Sequence, residues 1–340
     1  MKRTLLLLLL STTIVSLGTV RAANTVKIVY SGTTATVTVD QNISSYVTVS
    51  SGTSSHVVIT QAETFAGIDA TVDNTDGEIT YSLSGTSTDG SLLLTGSYKC
   101  TVELNGVTLT NPSGPAVNLQ NGKRVSVSAK KGTTSTLQDG TNADYNGALH
   151  CKGHLKLKGK GTLNVVGTSR HAIYAKEYCE VKNLTLNITA AVKDGIHCRE
   201  YFLMESGTVS ISGMGDDGIQ VEQDTSTGAT ATGTTTDHED ENSGNFYMTG
   251  GTLTISGYTG RAVKADGTVS LTGGTRNFST ADIEETAGID DIEASTTTAT
   301  TRFADGIYDL QGRRLTAVPQ RRCLYIVVEQ GVARKILSGR

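Results

Sequence analysis

Tryptophan is absent from these 340 residues, and proline occurs only three times. Charged residues make up 18 % of the chain and the formal net charge is -4, so no basic stripe points to nucleic acid. Long amphipathic helical patterns are missing. After the first residues no apolar run reaches the roughly 20 residues that a membrane-spanning helix needs. The five cysteines, Cys100, Cys151, Cys179, Cys198 and Cys323, are odd in number, which excludes a fully paired intrachain disulfide framework. They read first as small buried residues. What is abundant is glycine, 38 residues, with serine and threonine throughout. That is the composition of many short strands and tight turns.

The amino terminus reads as an export leader over residues 1–22. Lys2 and Arg3 supply charge, Leu5 to Leu10 begin an apolar core, and Val20-Arg21-Ala22 offers small residues for cleavage. No cysteine follows closely enough to carry a lipid. The leader implies an exported chain, extracellular or at the outer cell surface, without a transmembrane segment after processing.

The chain repeats itself. Thr162 opens TLNV, Thr185 opens TLNI and Thr208 opens TVSI, each 23 residues after the last. A second phrase keeps the beat from Ala172, Gly195 and Gly218. A repeat this short is a solenoid coil, because one coil cannot bury its own apolar face. Between Gly218 and Ala262 the interval is 44, one coil plus an excursion starting near Asp224, after which the register resumes. The predicted fold is all-β: a right-handed parallel β-helix over 79–278. A strand-rich cap (23–78) precedes it. A linker (279–302) and a small β unit (303–340) follow.

Strand alternation sorts each phrase into faces. Ile173, Ile196 and Ile219 point inward, with Ala175, Cys198 and Val221 beside them. Outward lie His150, Tyr174 and His197, and next to them Lys152, Lys176 and Arg199. Parallel strands lie about 4.8 Å apart, so three stacked cations invite an anionic partner. The plainer reading is a solvated lysine face. The turns before these strands hold Asp194, Asp216 and Asp217, with Glu222 near in sequence. Carboxylates one coil apart can share a calcium ion, although Asp-Gly is also an ordinary turn pair. Asp139 with Asn142 and Asp144 forms a second, weaker oxygen-rich candidate. No nucleophile elbow, phosphate loop or His-Glu-x-x-His helix occurs. A His197–Asp217 dyad can be drawn, but an outward histidine among lysines reads more simply as surface.

Several phrases carry a resemblance: LSGTSTDG from Leu83, LNGVTLTNPSG from Leu104, CKGHLKLKGKGTLNV from Cys151, HAIYAKEYC from His171, KDGIHCREYF from Lys193 and GDDGIQVE from Gly215. In order, they resemble the secreted bacterial carbohydrate-binding domain family built on a pectate-lyase-like parallel β-helix. The resemblance covers about residues 25–275. It implies binding of cell-wall polysaccharide, acidic pectic chains included, and of calcium. His171 stands where Asp194 and Asp217 stand in later coils. The tail, GIYDLQGRRL then CLYIVVEQGVARKIL, resembles the carboxy-terminal unit of exported Bacteroidota proteins, with Cys323 where that unit usually has glycine.

The combined reading is non-catalytic, calcium-associated binding of a uronate-containing, pectin- or polygalacturonate-like polysaccharide. Its binding strip is Lys152, Lys176, Arg199, His150, Tyr174 and His197. Its calcium ligands are Asp194, Asp216, Asp217 and Glu222. The alternatives are a calcium-dependent pectate-lyase-like enzyme, in which Lys152, Lys176 or Arg199 acts beside the bound uronate, and a structural surface protein.

Overall fold

Each coil is three short strands joined by tight corners. One runs through Cys179–Lys182, Thr185–Ala190 and Ile196–Arg199. Two corners use a left-handed residue that is not glycine, Asn183 at φ 65° and Glu200 at φ 66°. Asparagine tolerates that conformation; a glutamate there is uncommon. The structure is a computed structural model that describes residues 24–68, 77–141, 144–224, 241–286, 305–309, 313–319, 323–329 and 332–338. Residues 1–23, on which the predicted leader falls, the excursion from 225 to 240 and residues 287–304 lie outside the described residues.

Stacked coils build three walls. One is a ten-stranded sheet that includes Gly147–Cys151, His171–Ala175, Ile196–Arg199, Ile219–Glu222, Val263–Ala265 and Ile283–Glu285 in succession. The other two walls are parallel stacks joined into one seventeen-stranded sheet by the long strand Ile79–Ser87, which pairs with both Cys100–Leu104 and Thr108–Thr110. The predicted register is present in the ladders. Thr162 pairs with Thr185, Thr185 with Thr208, and Thr208 with Thr252 across the excursion. Ile173, Ile196, Ile219 and Val263 form one inward ladder, all with no exposure. Cys151, Ala175, Cys198 and Val221 form its buried neighbour. Cys100, Cys151, Cys179 and Cys198 are free buried thiols that pack as apolar residues.

The ends differ from the sequence reading. Strands Thr25–Ser31 and His56–Gln61 pair parallel with Ile79–Ser87 and Ser91–Gly96, so they already belong to the solenoid. Only Thr34–Val39 and Val47–Val49 run antiparallel and close the edge. At the other end Thr275–Asn277 and Ile283–Glu285 form one more coil, so the first residues assigned to a linker are structured. The carboxy-terminal unit is a four-stranded antiparallel sheet of Gly306–Tyr308, Arg314–Leu315, Cys323–Glu329 and Val332–Ser338. Among the described residues no helix is long and apolar enough to cross a membrane.

Candidate functional site

The turns leading into Ile196–Arg199 and Ile219–Glu222 place Asp194 and Asp217 one above the other. Gly195 and Gly218 make that turn tight. A Cβ on Gly195 would lie 2.7 Å from the Gly218 carbonyl oxygen, and one on Gly218 would lie 2.6 Å from that of Ala262. The backbone therefore passes too closely for any other residue, and the aspartate before each glycine is fixed at the corner.

Asp194 is the hub. Its Oδ2 lies 3.0 Å from Nδ1 of both His171 and His197. Its Oδ1 accepts the Asp217 N–H at 3.1 Å. His197 in turn places Nε2 3.3 Å from Glu222 Oε2. Burial alone raises the Asp194 carboxyl, but hydrogen bonds from the two imidazoles outweigh it and hold it below its ordinary value. For His197, burial favours the neutral form, yet its bonds to Asp194 and Glu222 win and raise it. His171 has burial as its largest influence and only one carboxylate against it, so it is lowered. Of the two imidazoles, His197 is therefore the more readily protonated and His171 the less. The Asp194 N–H also lies 3.3 Å from His171 Nδ1. One nitrogen cannot both accept there and donate to the carboxylate, and the shorter carboxylate contact prevails.

On the far side of Asp194, Asp216 and Asp217 complete a trio of carboxylates with oxygens within 4.8 Å of one another. Asp216 is exposed and Asp217 is buried. Asp217 Oδ1 accepts the Arg261 N–H at 2.6 Å, whereas its buried Oδ2 has no hydrogen bond and lies 3.9 Å from Lys264 Nζ. Burial first, and the Asp194 and Asp216 charges after it, raise the Asp217 carboxyl.

The other residues singled out from the sequence are placed as follows. Glu222 stands outside the aspartate trio; it is the counter-ion of His197 and of Arg199, whose Nε is 3.4 Å away. Arg199 also approaches Asp224 at 3.7 Å, so it is neutralised rather than part of an open cationic stack. Lys152 and Lys176 are exposed and make no ion pair among the described residues. His150, Tyr174 and His197 do project from the outer face, but at 9 %, 8 % and 7 % exposure they are covered rather than open. They stack on one another, with ring centroids 5.1 Å apart for His150–Tyr174 and 5.4 Å for Tyr174–His197. Tyr145 packs edge-on against His150 at 5.4 Å. A sugar would meet ring edges here, not faces. Asp139 is occupied by the Thr168 N–H at 2.5 Å and by the Thr168 and Ser169 hydroxyls, which ties two loops together; Asn142 lies outside the described residues. His171, which the structure adds to the cluster, is not among the site residues read from the sequence, although it stands in phase with Asp194 and Asp217.

A family model described as carbohydrate-binding domain-containing protein matches residues 66–308. No curated protein matches the chain. Among solved structures, the chain is similar to a polysaccharide lyase-like protein from C. thermocellum, solved as a gadolinium derivative. The identity is 20 % and the TM-score 0.51, over 77 % of this chain and 99 % of that one. This likeness is one of fold. The expectation of a binder without chemistry is corrected by two findings together. The fold is shared with a lyase-like protein, and the described face holds a buried His171–Asp194–His197 cluster suited to metal binding or catalysis.

Proposed function

The chain belongs to the family of carbohydrate-binding domain-containing proteins, and from that premise we propose that it acts on an acidic cell-wall polysaccharide as a calcium-dependent, lyase-type enzyme. The observation that carries this reading is the double role of Asp194, which joins two imidazoles to a trio of carboxylates. Asp216 and Asp217 supply open oxygens, including the buried Asp217 Oδ2 without a hydrogen bond. An all-oxygen set of this kind suits a hard cation. Calcium held there would neutralise a uronate carboxylate and acidify its neighbouring carbon.

The protein's own groups supply the remainder. His171, the less readily protonated of the two imidazoles, holds its Nδ1–H against Asp194, which leaves Nε2 as the acceptor for the proton beside the carboxylate. Loss of that proton forms the carbon–carbon double bond as the glycosidic bond breaks, and the departing oxygen takes a proton from solvent. The exposed Lys152 and Lys176 hold the polyanion at the sheet's edge, with Arg199, His150, Tyr174 and His197 behind them. Such binding weakens with salt. The leader at residues 1–22 supports an exported chain that meets this polymer outside the cell.

The test is incubation of the full chain with polygalacturonate, methylated pectin, cellulose and xylan, following unsaturated uronide by ultraviolet absorbance. Product is expected from polygalacturonate with calcium, lost on chelation. H171Q should lower the rate about 100-fold or more while polymer binding persists. No product from any of the four polymers would sink the enzyme reading. Unchanged binding by K152A/K176A would remove the strip.

A further inference from the structure

The corner that follows the ten-stranded wall carries a second cluster of different chemistry. Leu155 pairs with Cys179, and Cys179 with Phe202. In that register His154 stands level with Tyr178 and Tyr201, while Glu177 and Glu200 stack one coil apart at the preceding position. The His154 ring lies on the Tyr178 ring with centroids 4.1 Å apart and planes 21° apart. Tyr178 stacks in turn on Tyr201 at 4.8 Å. Both tyrosines are fully buried, so the imidazole rests on a rigid support. From there it leans diagonally towards the glutamates. His154 Nε2 is 2.9 Å from Glu177 Oε2 and 3.6 Å from Glu200 Oε2.

We propose that His154, Glu177 and Glu200 form a binding site for a zinc-type divalent ion, separate from the aspartate trio. The donor set is one imidazole and two carboxylates, all within 4.8 Å of one another. A tetrahedral ion with bonds of about 2.0–2.1 Å places its ligands roughly 3.3 Å apart, and the two measured separations bracket that edge. The imidazole favours zinc, cobalt or nickel over calcium, which takes oxygen ligands. All three side chains remain partly exposed, at 27 %, 27 % and 19 %, so the fourth position is open to water.

An ordinary ion pair accounts for less of this corner. It uses His154 and Glu177 at 2.9 Å and holds Glu200 only at 3.6 Å from the same nitrogen, with no lysine or arginine partner among the described residues. A dication would satisfy both carboxylates at once. The position also fixes Glu200 in its left-handed conformation, where it caps the coil: its carbonyl accepts the Ser243 N–H at 3.1 Å and the Gly244 N–H at 2.6 Å. None of the three residues belongs to the Asp194 cluster, so this inference stands or falls independently of the proposed lyase function.

Calorimetric titration of the metal-free full chain with zinc and with calcium tests the proposal, with cobalt as a spectroscopic probe. Zinc is expected to bind, and cobalt to show the strong visible bands of tetrahedral coordination. H154A should weaken zinc binding about 100-fold or more, and E177Q and E200Q at least 10-fold each, taking the loss of a metal's supporting group as the lower guide. H171A should leave this binding intact. The glutamine variants keep the shape of the corner, so they decide the matter if H154A misfolds. Absent zinc binding, binding unaffected by E177Q and E200Q, or binding lost in H171A instead would each overturn the site.

Discussion

Asp217 donates its backbone N–H to Asp194 Oδ1, 3.1 Å away and one coil earlier. Arg261 repeats the bond to Asp217 Oδ1 at 2.6 Å. Each aspartate thus caps the next coil's backbone with one oxygen and keeps the other buried, that of Asp194 against two imidazoles and that of Asp217 3.9 Å from the Lys264 ammonium. The column is a structural ladder that also gathers the carboxylates and imidazoles of the candidate site.

Replacing Asp194 separates those two roles. D194N keeps an oxygen for the Asp217 N–H but loses the charge between His171 and His197. D194A loses both, and removing one partner of a buried ion pair costs about 3–5 kcal/mol. Urea unfolding should order the proteins wild type, D194N, D194A. Equal stability of all three would show that the hub does not hold the face together.

Ile196 sits in the middle of the inward ladder with no exposure. Ile196→Ala should cost roughly 2–5 kcal/mol, because the stacked coils cannot close over the lost methylenes. A loss below about 1 kcal/mol would mean that the ladder relaxes there.

His150 gives the pH dependence a window. Burial lowers it from 6.5 to about 4, and the Asn146 N–H approaches its Nδ1 at 3.4 Å, which favours the unprotonated ring. The unfolded state therefore binds the proton more readily. This group's contribution is intact above about pH 6.5 and is lost as pH falls towards 4, by at most about 3 kcal/mol. His171, also lowered by burial, acts in the same direction, whereas the raised His197 acts in the opposite one. Unfolding midpoints of wild type and H150Q across this range should diverge, with H150Q the flatter. Parallel curves would contradict the assignment.

Burial pushes the Cys100 and Cys151 thiols up to about 12. Neither they nor the buried Cys179 and Cys198 should react with an aromatic disulfide reagent in the native protein, and all four should react in denaturant. Fast native labelling of any one of them would show that the core opens locally.

Much of the fold could be read directly because a coil repeats its own chemistry. The threonines at 162, 185, 208 and 252 occupy one ladder, and the isoleucines at 173, 196 and 219 another. Alternation fixes which side of a strand a residue faces, but not what covers that side. For this reason His150, Tyr174 and His197 were placed on the correct wall and given the wrong exposure. The partnership of Arg199 with Glu222 follows from ladder pairing and was available from the register. His154 was harder to place. Its coil carries an extra residue, so it leaves the glutamates' column, joins that of Tyr178, and reaches Glu177 only on the diagonal.

The solenoid is clasped on both sides of the excursion. The Asp224 N–H donates to Asn242 Oδ1 at 2.8 Å, and Asn242 Nδ2 donates to the Asp224 carbonyl at 2.7 Å. Beyond it Phe202 meets Phe246 in register, as though the intervening residues had not been inserted. The clasp therefore makes this corner a graft point. What is carried between Asp224 and Asn242 should tolerate shortening or exchange with the coils on either side keeping their phase, because the bonds of Asp224, Gln223 and Glu200 to Asn242, Ser243 and Gly244 fix where the backbone returns.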